Sequence, residues 1–211
     1  MRTVPKKDAH MKKRAASIKR KTKETDITVK LDIDGSGKSK IDTGVGILDH
    51  MLELFAFHGL FDLDIAAKGD LKVDIHHTNE DIGIVLGQVF KEALGDKKGI
   101  KRFGSASVPM ENVVANVAVD ISGRGHFIWP LDNVGSAPDK KEGYEYEYAK
   151  HFFDAFAKNL GMNLNISLNF TNPDLHTTLE PVFKGVGIAL DQATQIDPRR
   201  KGIPSTKGVI D

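Results

Sequence analysis

Within "ETDITVKLDIDGSGKSKID" the apolar residues Ile27, Val29, Leu31 and Ile33 alternate with polar ones. A period of two places all four on one face of a strand. The turn chemistry of Gly35-Ser36-Gly37 then predicts a hairpin with one buried face. In "GVGILDHMLELFAFHG" the period changes: Ile47, Leu48, Met51, Leu52 and Phe55 recur at helical spacing, and Gly59 supplies a stop. "FDLDIAA" and "DLKVDI" return to strand alternation. From about Asn79 to Leu94, a stripe of Ile82, Leu86, Val89, Phe90 and Ala93 predicts a second helix, ended by Gly95.

The second half repeats this order. Strands are expected in "VVANVAVDIS" and "RGHFIW", and a helix in "YEYAKHFFDAFAKNL" with Phe152, Phe153 and Phe156 inward. A strand in "NLNISLNF" and a last helix in "LEPVFKGVGIALDQAT" follow. The one long polar loop is "PLDNVGSAPDKKEG", at about 130–143. His76 and Glu80 lie a hundred residues before His176 and Glu180, and in the same register Leu86 falls on Val186, Gly87 on Gly187 and Phe90 on Leu190. The repeat predicts an α+β fold made of a duplicated half-domain, each half a β-sheet packed with two helices. Its two copies are expected at about 19–105 and 106–211.

Composition narrows the chemistry. Of 211 residues, 40% are hydrophobic and 28% charged, the balance of an ordinary soluble domain. No stretch reaches the roughly 18 apolar residues of a membrane span, and the N-terminus lacks the apolar core of a secretory signal. There is no cysteine, which excludes disulfides and thiolate chemistry and fits a cytoplasmic protein. Any transition-metal site must therefore use histidine, carboxylate and water. Charge is unevenly placed: residues 1–23 hold ten Lys/Arg and one Asp, leaving 20 basic and 28 acidic residues for the remaining 188. This arm has no aromatic residue to stack on a base, so residues 1–18 read as a disordered, solvating leader rather than a nucleic-acid grip. The His10-Met11 pair has the look of a cloning junction.

Candidate chemistry concentrates where the long helices start. In "DIHHTNEDIG", Glu80 follows His76 by four residues and His77 by three, so either pair can point one way on the first helical turn. Imidazole and carboxylate together suit Mn, Fe, Zn or Ni, and without sulfur a multi-water Mn or Fe site is reasonable. Phosphate recognition calls for cations and neutral donors, which "KRFG" (Arg102), "SGRG" (Arg124) and "PSTKG" (Ser205, Lys207) supply.

Taken in order, "KETDI", "DTGVGILDHML", "FHGLFDLDIAAKGDL", "DIHHTNEDIGIVLG", "GIKRFG", "VDISGRG" and "PSTKG" resemble the imidazoleglycerol-phosphate dehydratase family, from about residue 19 to the C-terminus. The resemblance implies a fold like the second domain of ribosomal protein S5, and trimers built into an assembly of 24 subunits with active sites between subunits. It implies metal-dependent removal of water from imidazoleglycerol phosphate in histidine biosynthesis, with two Mn(II) ions per site. By motif, His76, Glu80 and His176 would serve one metal, and His50, His77 and Glu180 the other. Glu24 matches the acid/base carboxylate, and His58 matches a histidine lining the substrate pocket. Arg102, Arg124, Ser205 and Lys207 match the phosphate grip.

The second half departs from the family pattern. "HTTLE" puts Thr177 where a second histidine is usual, and "LNI" puts Asn165 in place of another. Both are weaker ligands than imidazole, so fewer metals are expected here. The alternative expectation is a metal- or phosphoester-binding homologue with lost or altered dehydratase activity.

Overall fold

In the computed structural model, which describes residues 13–129, 140–141 and 143–210, the alternating segment around Val29 forms strand β2 (Thr25–Asp32). Ile27, Val29 and Leu31 are buried on it, and Asp26, Thr28 and Lys30 face outward. Its partners differ from the expected hairpin. β1 (Ala15–Lys21) lies antiparallel to β2 on one side, and β4 (Asp62–Gly69) on the other. The short β3 (Ser39–Asp42) runs parallel to β4 at the far edge. The loop after β2 is carried there by Asp62, whose carboxylate accepts the backbone N–H groups of Ser36 (2.8 Å) and Lys38 (3.0 Å).

β1 also moves the boundary drawn for the leader, because residues 15–18 belong to the sheet. Ala16 and Ile18 pack against the core, and Ser17, Lys19 and Lys21 point out. Lys19 and Lys21 each lie 3.4 Å from Asp26, and Lys13 lies 3.0 Å from Asp32, so much of this basic charge is matched within the chain. Residues 1–12, and with them His10-Met11, lie outside the described residues. Arg14 ties the strand's start to the far end of the chain. It donates through Nε to Asp34 (2.9 Å) and through Nη1 to the Thr194 carbonyl at the end of the last helix, whose final turn has no basic residue of its own. Arg14→Ala should lower unfolding free energy by about 1–2 kcal/mol in a denaturant titration.

The rest of the first half comprises α1 (Gly46–His58) and α2 (Ile75–Leu94), followed by Gly59 and Gly95 as expected. "DLKVDI" is not a strand. It is a turn leading to Asp74, whose side chain accepts from His76 N (2.8 Å) and so starts α2 earlier than the apolar stripe suggested.

The second half contains β5 (Phe103–Met110), β6 (Val113–Asp120), β7 (His126–Ile128), α3 (Tyr146–Leu160), β8 (Asn163–Leu168) and α4 (Leu175–Thr194). Its sheet order, β5-β6-β8-β7, repeats β1-β2-β4-β3 position by position. The repeats divide in the connection 95–102, because the boundary expected at 105/106 would cut β5. Most of the long loop, residues 130–139 and 142, lies outside the described residues.

Helices from the two halves cross. α2 packs on the first sheet and against α3, and α4 packs on the second sheet and against α1. Both crossings run over a glycine. A Cβ on Gly187 would lie 2.5 Å from the Phe55 carbonyl oxygen of α1, and one on Gly87 would lie 2.7 Å from the Phe156 carbonyl oxygen of α3. One apolar core continues through both halves, with Phe55, Phe90 and Phe156 in mutual ring contact at its centre.

Candidate active site

α4 starts as α2 does, with an aspartate cap a hundred residues on: Asp174 accepts from Thr177 N at 3.0 Å. On its first turns, His176 Nε2 lies 2.6 Å from Glu180 Oε2, and His50 Nε2, from α1, lies 3.7 Å from the same oxygen. The two imidazoles stack with centroids 4.9 Å apart. One donor atom from each of His50, His176 and Glu180 falls within 4.8 Å of the others, and the His50 Nε2 atom is buried without a hydrogen-bond partner. A buried, unpaired ring nitrogen facing a carboxylate and a second imidazole suits a divalent cation better than it suits a closed protein interior.

The electrostatics agree. Burial pushes the Glu180 carboxyl up, but hydrogen bonds and charge from Lys184 and His176 together outweigh it, and the group stays below its ordinary range. Burial, then the Lys184 charge, lower the His58 pKa against the opposing pull of Glu180, so its ring favours the neutral form. A cavity of about 220 Å³ opens beside the cluster, lined by Gly46, Ile47, His50, Lys141 and His176.

A second cluster sits where α2 meets α3. His76 Nε2 lies 3.3 Å from Glu80 Oε2, and His76 Nδ1 lies 3.0 Å from His151 Nδ1. His151 is absent from the sequence-based set, yet it is the repeat counterpart of His50. Each stands five residues before a Phe-Ala pair, in "HMLELFA" and "HFFDAFA", and each of those phenylalanines supplies the carbonyl that meets a crossing glycine. The residues thus group differently within one chain than the motifs suggested. His176 joins His50 and Glu180, while His76 and Glu80 join His151.

His77 turns away from both groups. Its Nδ1 faces the Asp70 carboxylate at 3.2 Å, a contact that raises its pKa with help from the Glu24 charge. Its Nε2 has no hydrogen-bond partner among the described residues, the arrangement of an oriented imidazole with one nitrogen to offer. Glu24 lies on the β1–β2 turn, near His77.

The two substituted positions contribute nothing to either group in one chain. Thr177 is buried, and its hydroxyl donates to Asp174 (2.9 Å), completing the cap. Asn165 lies on the exposed face of β8 between Ala118 and Ile128, opposite the face that meets the helices.

The phosphate candidates lie at the other end of the helices. Arg102 N donates to the Ala193 carbonyl near the C-terminus of α4 (2.8 Å), about 20 Å along the helix from Glu180. Its guanidinium grips Asp120 at 2.6 and 3.0 Å and donates to the Pro204 carbonyl at 3.0 Å, fixing the segment that presents Ser205 and Lys207. Arg124 follows the contact between Gly123 and Gly161, at the end of α3.

Residues 43–190 match the family model described as imidazoleglycerol-phosphate dehydratase. The chain belongs to the imidazoleglycerol-phosphate dehydratase family. The protein of that name from Geobacter metallireducens is 52% identical over 198 residues, covering 93% of this chain and 99% of the relative. The one from Geobacillus sp. is also 52% identical, with the same coverage. Among solved structures, the Staphylococcus aureus dehydratase superposes with a TM-score of 0.75 at 34% identity, covering 87% of this chain and 99% of that one. The Pyrococcus furiosus dehydratase also gives 0.75, at 38% identity, covering 91% and 99%.

The activity of this family is a metal-dependent hydro-lyase reaction of histidine biosynthesis. With 52% identity to these dehydratases over 93% of the chain, the alternative of a homologue that has lost the reaction is not favoured. Among the described residues no helix is long and apolar enough to cross a membrane.

Proposed function

We propose that the chain dehydrates imidazoleglycerol phosphate to imidazoleacetol phosphate in the cytoplasm. It would hold Mn(II) at two positions in sites completed between copies of itself. The observation that carries this reading is the buried, unpartnered His50 Nε2 beside His176 and Glu180. Imidazole and carboxylate donors without sulfur suit Mn(II). His50, His176 and Glu180 would hold the first ion, and His76, Glu80 and His151 the second. His77, oriented by Asp70, would complete the first position in a neighbouring copy. Threonine at 177 leaves the second position one imidazole short of the first, so the two are expected to differ in affinity.

The placement of the grip supports assembly. The substrate's phosphate and imidazole ends cannot span the length of α4 between Arg102 and Glu180, so one site needs the helix starts of one copy and the helix ends of another. A closed oligomer satisfies this, and the family's trimer-based assembly of 24 subunits is the form expected.

When bound, the metal supplies electrophilic stabilisation of the imidazole ring as negative charge develops there. Glu24 would carry the proton, taking it from one substrate carbon as the hydroxide leaves the neighbouring carbon. It would deliver the proton to that neighbouring carbon as the enol becomes the ketone, while the enol O–H proton joins the departed hydroxide as water. His58, held neutral, offers a hydrogen bond without adding charge. Ser205, Lys207 and Arg124 bind the phosphate, and Arg102 keeps their loop in place through Asp120 and Pro204. The test is to strip the protein with a chelator, assay it on imidazoleglycerol phosphate, and restore Mn(II) while measuring metal per chain. Turnover should vanish on stripping and return with Mn(II), with one ion held more tightly than the other. Undiminished turnover by the metal-free protein would refute the reading.

A further inference from the structure

Next to Glu80, Asp81 is oriented differently and buried, with 9% of its surface exposed. It lies four residues after His77, on the same face of α2. Its Oδ2 accepts the Thr25 hydroxyl at 2.6 Å and pairs with the Arg20 guanidinium. Both partners belong to the β1–β2 hairpin, and they flank Glu24: Arg20 on the strand before it, Thr25 immediately after.

The turn itself is closed from within. Thr22 Oγ1 accepts the N–H groups of Glu24 (3.1 Å) and Thr25 (3.0 Å), and Thr22 N donates to the Thr25 carbonyl (2.8 Å). On the opposite side, the Glu24 carbonyl accepts from Asp70 N at 3.1 Å, and the Asp70 carboxylate is the partner of His77. The backbone of Glu24 is therefore held on both flanks, while its carboxylate makes no hydrogen bond among the described residues. An ion pair with one partner buried, as Asp81 is here beside a part-exposed Arg20, is seldom the most stabilising way to fill such a space, since well-packed apolar groups often do as well. What this one provides is a fixed position for the residue between its two anchors.

We infer that Thr25 and Asp81 are positioning residues for Glu24, locking the β1–β2 turn onto the helix turn that carries His77. The inference rests on Glu24 being the proton-carrying group. Thr25→Val keeps the volume and strand preference of threonine and removes only the hydroxyl, whereas Thr25→Ser keeps it. In the assembled, Mn(II)-loaded enzyme, Thr25→Val should lower kcat by about tenfold to a hundredfold, the scale of a small misplacement of a catalytic group. KM for imidazoleglycerol phosphate and metal per chain should stay near wild type, and Thr25→Ser should restore kcat.

In a Glu24→Gln background the same substitution should cost nothing further, because it acts through the carboxylate already removed. An unchanged kcat in Thr25→Val, or an equal loss in both backgrounds, would overturn the inference. A wild-type rate for Glu24→Gln alone would instead overturn the role given to Glu24. Should Thr25→Val fail to assemble, Asp81→Asn keeps an acceptor for Thr25 but drops the charge facing Arg20, and the same cycle decides.

Discussion

Glu180→Ala is expected to lower kcat/KM by at least about a thousandfold, the rate equivalent of losing several kcal/mol of metal-ion stabilisation. It should also remove one Mn(II) per chain. Among the described residues Glu180 is the only carboxylate in its cluster, and its side chain is just 12% exposed. It faces both His176 and His50 while accepting from Lys184. On the proposed reading, removing it deletes a ligand and also leaves the Lys184 ammonium unpaired, 22% exposed, beside the position the cation would occupy. The two effects have the same sign, because an uncompensated positive charge repels the ion that the lost carboxylate attracted. Glu180→Gln keeps an oxygen and the volume but not the charge, and should fall between wild type and alanine. Glu80→Ala is expected to cost less, since Glu80 is about half exposed (49%) and water can replace it more readily. Steady-state kinetics with metal analysis of the same preparations tests this. A Glu180→Ala enzyme that keeps its metal and loses less than about tenfold would remove Glu180 from the first position.

The parts of this fold legible in the sequence are those where burial is one-sided and the side chains are large. β2, α1 and α3 could be read from Val29, Leu52 or Phe153 because each sits in a clean period of two or 3.6. β5 escaped notice because its inward residues are Gly104, Ala106 and Val108. α4 approaches so closely there that a Cβ on Gly104 would meet the Ala189 carbonyl at 1.9 Å. Small residues are what such an approach requires, and they carry almost no hydrophobic signal. β1 was hidden by its lysines, although Ala16 and Ile18 keep the period beneath them. The pairing of β3 was not readable at all, since a short edge strand takes its partner from the rest of the sheet.

At the candidate site, the helix-start residues stood out through their hundred-residue repeat, but His151 did not. The α1–α3 repeat is offset by 101 rather than 100, and only the Phe-Ala pair after each histidine marks it. Asn165 drew attention through the family motif alone, and strand alternation places it on the outer face. Thr177 was read as a missing imidazole, but the sequence did not reveal that its hydroxyl is already committed to Asp174.

The repeat also predicts how substitutions at the helix crossings should differ. α1 carries His50 and meets α4, which carries His176 and Glu180, over Gly187; α3 carries His151 and meets α2, which carries His76 and Glu80, over Gly87. A methyl group at either glycine would press on a backbone carbonyl that cannot rotate away, so the helices themselves must separate. Gly187→Ala and Gly87→Ala are each expected to cost about 2–3 kcal/mol of stability. The same separation pulls one cluster apart and leaves the other unchanged. Gly187→Ala should weaken the tighter Mn(II) step by drawing His50 away from Glu180, whereas Gly87→Ala should weaken the second step by drawing His151 away from His76. Denaturant titrations give the first quantity, and Mn(II) binding isotherms of the stripped proteins give the second. If both variants lose the same binding step, the crossings do not each govern one cluster. If each loses its own, the duplicated backbone is what sets the geometry of two distinct metal positions, and the His77/Thr177 difference tunes them on top of it.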